Sequence, residues 1–108
     1  MIIDDNLKVA KLIDTYGKLL TDKQYEIMTS YYFDNLTLTE IADNQGISRQ
    51  AVNDCLTQAT KSLESFESKL NLVKKHDTLK LKLDHLLSKS TNDNLTNLIN
   101  DILQMLDE

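Results

Sequence analysis

The 108-residue sequence predicts an all-α protein: a helix-turn-helix bundle followed by long C-terminal helices, with the chain expected to pair as a dimer. Three observations carry this. The chain has no Pro, two Gly and 19 Leu, which leaves few interruptions to helix. Its apolar residues recur at steps of three and four along most of its length. Residues 37–56, Thr-Leu-Thr-Glu-Ile-Ala-Asp-Asn-Gln-Gly-Ile-Ser-Arg-Gln-Ala-Val-Asn-Asp-Cys-Leu, have the spacing of two short helices joined by a glycine corner.

Residues 4–20 read as a first amphipathic helix. Its buried stripe takes Leu7, Ala10, Ile13 or Leu12, Tyr16, and Leu19 or Leu20, and Asp4 and Asp5 complement the positive end of the helix dipole. Thr21 opens a second helix with Gln24 as its capping-box partner, and Ile27, Met28 and Tyr31 or Tyr32 form its apolar face. Asp34-Asn35 ends it. The links between these first helices are short, which favours a compact bundle.

The motif begins at Thr37, which N-caps a helix with Glu40 closing a second capping box. Leu38, Ile41 and Ala42 share one face, and Ala42 sits where a larger side chain would push two crossing helices apart. Gly46 suits a left-handed backbone at the helix end, Ile47 plugs the corner, and Ser48 caps the next helix. Val52 and either Cys55 or Leu56 then point back into the core. The side chains this geometry offers to a partner are Ser48, Arg49, Gln50, Asn53, Thr57 and Lys61.

From Ser48 no strong breaker appears before residues 88–94, although Asn71 marks a candidate bend or break. Leu63, Phe66, Leu70, Val73, Leu79, Leu83 and Leu86 continue the three–four spacing, with His76 filling one gap as a seam residue. A stripe of this length suggests a coiled-coil-like seam with a second copy of the chain, or a surface over which the last helix folds back. Lys74, Lys75, Lys80, Lys82 and Lys89 make the one basic cluster, read as a solvated face or a phosphate-facing patch. After a loop at 88–94, Leu95, Leu98, Ile99, Ile102, Leu103 and Leu106 form a tight stripe on a final helix ending at Glu108, which must dock on its own long helix, a partner subunit or another protein. The expected division is a bundle over 1–66, holding the motif at 37–60, and an extension over 67–108 for dimerisation or docking.

Charge pulls against ordinary duplex binding. The net charge is −5, and residues 21–66 hold seven acidic groups against Lys23, Arg49 and Lys61. A phosphate backbone would be repelled by most of that surface. Tyr16, Tyr25, Tyr31, Tyr32, Phe33 and Phe66 lie on helical faces and are read as core rather than as a stacking platform for RNA. No Gly-rich phosphate loop, no Cys or His pair at metal spacing and no Ser-His-Asp ordering is present, so neither an enzyme nor a cofactor is expected. The single Cys55 reads as a small core residue and fits a reducing compartment. With no bilayer-length apolar run and no signal-peptide pattern, a cytoplasmic protein without membrane insertion is expected.

The segments Leu20-Thr21-Asp22-Lys23-Gln24, Tyr31-Tyr32, Leu38-Thr39-Glu40-Ile41-Ala42 and Ile47-Ser48-Arg49-Gln50-Ala51-Val52 resemble the YlxM-like helix-turn-helix family of bacteria. More loosely, they are similar to the sigma-factor domain (region 4) that reads the promoter −35 element. The resemblance covers residues 7–70 well and extends weakly to the C-terminus. It implies an all-helical, dimeric, cytoplasmic protein. Because the family's genes lie beside those for the signal recognition particle GTPase and its receptor, it also implies a regulatory role in that pathway, through the GTPase or its small RNA. Where the family usually shows an aromatic and later basic residues after the Val52 position, this chain has Asn53-Asp54-Cys55-Leu56-Thr57-Gln58. That shifts weight from DNA towards a protein or RNA partner, leaving a DNA-binding transcriptional regulator as the alternative.

Overall fold

The computed structural model describes residues 2–107, and the side chains from residue 6 onward. The described residues form six α-helices and no strand: α1 (Ile2–Tyr16), α2 (Asp22–Tyr32), α3 (Leu38–Gln45), α4 (Arg49–Leu70), α5 (Leu72–Lys89) and α6 (Asp93–Leu106), with a 3-10 turn at Gly17–Leu19. A first compact unit ends at Asn71 and a second begins at Leu72.

In the first unit α4 is the spine, packed against α1, α2 and α3. Its inward stripe is Val52, Leu56, Ala59 and Leu63, each buried. These meet Leu12, Ile13 and Tyr16 of α1, Leu20, Ile27 and Met28 around α2, and Ile41 and Ala42 of α3. Burying each large aliphatic side chain contributes roughly 1.5–3 kcal/mol, so this one cluster accounts for most of the unit's cohesion.

The helix ends follow local chemistry. Thr21 Oγ1 accepts from the Gln24 amide and Gln24 Oε1 accepts from the Thr21 amide, both at 3.2 Å. The same reciprocal pair joins Thr37 and Glu40 at 3.1 Å in each direction. Non-glycine residues that tolerate a left-handed backbone stand where the chain turns: Asn35 (φ 58°) before the motif and Asn71 (φ 55°) at the end of α4. The long helical reading from Ser48 therefore breaks at Asn71.

Several expectations shift. The first helix starts at Ile2 and gives way to a tighter turn at Gly17, where an added Cβ would lie 2.7 Å from Tyr25 Cε1. The side chains of Asp4 and Asp5, expected at the helix start, lie outside the described residues, as does Glu108. Leu7 is exposed instead of buried. Nine residues at about 100° each put it half a turn from Tyr16, on the opposite side of α1. Both Leu12 and Ile13 are buried, and Leu20 rather than Leu19 enters the core. The 88–94 loop narrows to three residues, because α5 runs to Lys89 and Asn92 caps α6 by accepting from the Leu95 amide at 3.1 Å.

In the second unit α6 folds back along α5. The His76 Nε2–H donates to the Leu106 carbonyl at 2.8 Å, and Lys80 Nζ pairs with Asp107 Oδ1 at 2.9 Å. The Lys80 ammonium is held above its usual pKa, first by that hydrogen bond and then by the Asp107 charge. His76 thus occupies the inner side of its helix, joined to the facing chain.

Candidate functional site

The corner of the motif is built as its spacing demands. Ala42 is buried at the crossing, and Gly46 takes φ 68° as the helix C-cap. The Gly46 and Ile47 amides both donate to the Ala42 carbonyl, which closes the end of α3. Ser48 Oγ then accepts from the Ala51 amide at 3.0 Å and starts α4. This sequence of contacts turns the first residues of α4 outward. Ser48, Arg49 and Gln50 are all exposed.

The six sequence-predicted contact residues separate into two groups. Ser48, Arg49 and Gln50 form the tip. Asn53, Thr57 and Lys61, at successive four-residue steps, line an open groove of about 360 Å³ with Tyr31 and Tyr32 of α2 and Leu38 of α3. Leu56, Thr60 and Glu64 complete its lining along α4. The groove combines an apolar floor, an aromatic wall, an amide, a cation and a carboxylate, a mixture that suits recognition.

Two internal contacts tune this surface. Gln50 Nε2 donates to Asp54 Oδ1 at 2.9 Å, so this tip amide is already engaged by a carboxylate one turn on. Thr57 Oγ1 donates to the Asn53 backbone carbonyl at 2.9 Å, so its hydroxyl proton is already used within α4. Of the seven acids in residues 21–66, Glu40 serves the α3 cap and Asp54 holds Gln50.

The core reading of the aromatic residues holds for Tyr16 and fails for Tyr25, Tyr31 and Phe33. Only Tyr16 is fully buried; Tyr32 and Phe66 are half-buried, and Tyr25, Tyr31 and Phe33 are exposed. Residues 31–33 sweep about 200° of helix surface, so they cannot all face inward. Tyr31 and Tyr32 meet edge to face, with ring centroids 5.0 Å apart and planes at 81°. Burial pushes the Tyr32 phenol above its ordinary pKa, and a hydrogen bond with Thr60 works against that rise. Of the alternatives Tyr31 or Tyr32 for the inner face of α2, Tyr32 is the more buried; the sequence reading omitted Thr60 and Glu64 from the groove and did not offer either tyrosine as part of it.

Cys55 is half-buried, and Leu56 takes the core place left open between them. Burial raises the thiol pKa, with the nearby Lys23 charge opposing. Among the described residues no group of three or more His, Cys, Asp or Glu could hold a metal ion. None of the described helices is long and apolar enough to cross a membrane.

Comparison with known proteins places this geometry in a family. Residues 3–103 match the model of UPF0122, described as "Putative helix-turn-helix protein, YlxM / p13 like". A UPF0122 protein of Thermoanaerobacter sp. (strain X514) is 52% identical over 81 residues, covering 75% of this chain and 69% of the relative. One from Clostridium perfringens (strain SM101 / Type A) is 40% identical over 106 residues, covering 98% of this chain and 93% of the relative. A third, from Shouchella clausii (strain KSM-K16), is 36% identical over 107 residues, covering 99% and 98%. With its capped corner, exposed second-helix tip and near end-to-end match, the chain belongs to the UPF0122 family of YlxM / p13-like helix-turn-helix proteins.

Proposed function

We propose that the protein is a regulatory accessory of the signal recognition particle pathway, working by docking α4 onto the particle's GTPase or its small RNA. The observation that carries this reading is the open face of α4, tip and groove together, set in an acidic surface. Seven acids against three cations over residues 21–66 weigh against a long duplex contact, while a protein groove or an RNA loop needs few phosphate contacts. The pathway itself comes from the family resemblance and its gene neighbourhood. By binding one assembly or nucleotide state more tightly than another, the protein would shift the population of those states. A pull-down with the GTPase and the RNA, paired with GTP turnover measured with and without this protein, is the test. Association at micromolar concentration with a change in turnover is expected; no association with either component overturns the reading.

A DNA-binding regulator is the second reading, favoured by the exposure of the α4 tip. In it Ser48 and the first amides of α4 approach phosphate, Arg49 pairs with guanine, and Gln50 and Asn53 pair with adenine. Gln50 must first exchange its bond to Asp54. An electrophoretic shift with genomic fragments at low salt, lost steeply as salt rises, supports this reading; no shift removes it.

A further inference from the structure

Along α4 the groove takes Asn53, Thr57, Thr60 and Glu64, at steps of four, three and four, the spacing of a single helix face. Eleven rises of about 1.5 Å make that edge roughly 16 Å long, the length of three turns of an opposing helix. Tyr31 and Tyr32 at the end of α2 and Leu38 at the start of α3 form the facing wall. Tyr31 is 37% exposed and Leu38 is half-buried, so an apolar partner would cover surface that water now touches.

The hydroxyl groups of the floor are already engaged. Thr57 Oγ1 is tied to the Asn53 carbonyl, and the side chains of Thr60 and Tyr32 share a hydrogen bond. A nucleobase edge needs several donors and acceptors left open for it, whereas an aliphatic side chain needs none. The floor therefore suits apolar knobs. It also suits a helix better than an extended chain. The walls are helices and offer no strand edge, so an extended segment would find no backbone partners there. A helix arrives with its own backbone bonds made.

Charge narrows the partner further. From Asn53 to Glu64, α4 carries the acids Asp54 and Glu64 and one cation, Lys61. Glu40, its carboxylate turned back onto the Thr37 amide, adds an acid next to Leu38. Of the other two cations in residues 21–66, Arg49 stands at the tip and Lys23 lies near Cys55. Cys55 is about 200° round α4 from Thr57, so Lys23 is on the far side from the groove. We propose that the groove takes an amphipathic helix of another protein, rich in lysine or arginine. Its aliphatic stripe lies against Leu38 and the tyrosine rings, and its cations lie over Glu64 and Asp54. This rests on the reading that α4 docks onto a partner, and it names that partner's class as a protein helix and not an RNA.

A fluorescein-labelled amphipathic Leu/Lys peptide of about 18 residues, titrated with the full chain and followed by anisotropy, tests it. Micromolar binding is expected, weakened about tenfold by Tyr31→Ala and about fivefold by Glu64→Lys. Both side chains are exposed, so helical circular dichroism should hold in each variant. A peptide of the same composition with its stripe scrambled, and one with Glu in place of Lys, should each bind at least about tenfold more weakly. No binding, equal binding of the scrambled peptide, or indifference to Tyr31→Ala overturns the proposal. A labelled single-stranded oligoadenylate is titrated in parallel. RNA that binds more tightly than the peptide, and is lost with Tyr31→Ala, puts a nucleobase in the groove and overturns the proposal as well. The pathway reading fails separately. Peptide binding with no pull-down of the GTPase or its RNA overturns the pathway and leaves the groove assigned, whereas a pull-down of the GTPase undisturbed by Tyr31→Ala and Glu64→Lys does the reverse.

Discussion

The buried Tyr16 hydroxyl donates to Glu67 Oε1 at 2.5 Å, joining α1 to the far part of α4 across 51 residues of sequence. The Tyr16 ring also packs against Phe66, with centroids 6.0 Å apart. A phenol this deep needs a partner for its proton, and a carboxylate is a strong one. Tyr16→Phe keeps the ring and removes the bond, so urea unfolding should show a loss of about 1–2 kcal/mol. An unchanged midpoint would mean that the bond adds no net stability.

Gly46 makes a different kind of demand. At φ 68° it has nothing within 4 Å of where a Cβ would sit. The cost of Gly46→Ala is therefore conformational and not steric, about 1–2 kcal/mol, while Gly46→Asn should cost less because asparagine visits this backbone region more readily. Thermal unfolding of the two variants should rank them in that order.

The Gln50–Asp54 bond holds a carboxylate beside the α4 tip. Asp54→Ala frees the amide and removes one acid from the presented face. Affinity for any anionic partner that uses the tip should rise by about threefold to tenfold, the effect expected of one nearby charge at a protein surface. A titration against RNA or duplex at fixed ionic strength measures this, and an unchanged affinity would show that the tip is not the contact.

Cys55 has a raised pKa because burial disfavours its thiolate. At neutral to mildly alkaline pH its reaction with a thiol reagent should be slower than that of the same chain in urea, by severalfold or more. Since the folded state binds this proton more tightly than the unfolded one, the thiol's contribution to stability is fully present below the ordinary thiol pKa and is lost as pH rises through the raised value. Replacing Lys23 by Ala should raise the thiol pKa further, visible as a later onset of reactivity with pH.

The parts of the fold legible in the sequence are those decided within a few residues. Thr21 with Gln24, Thr37 with Glu40, and Ser48 all cap where their spacing says, because the donor and acceptor lie within one helical turn. The break at Asn71 was visible as a possibility, but only the backbone decides between bend and end. Choices that depend on which way a helix is rolled were less legible. Leu56 over Cys55, Leu20 over Leu19 and the outward face of Leu7 are set by what neighbouring helices offer. The groove is legible by halves. Asn53, Thr57 and Lys61 share a helix face and could be grouped from the sequence, whereas Tyr31, Tyr32 and Leu38 join them only once α2 and α3 lie against α4.

The chain contains four tyrosines and no tryptophan, so tyrosine emission is not drained by energy transfer to an indole. Half of those fluorophores stand side by side on the groove wall. Anything that settles against Tyr31 and Tyr32 writes its arrival directly into the ultraviolet signal of the unlabelled protein.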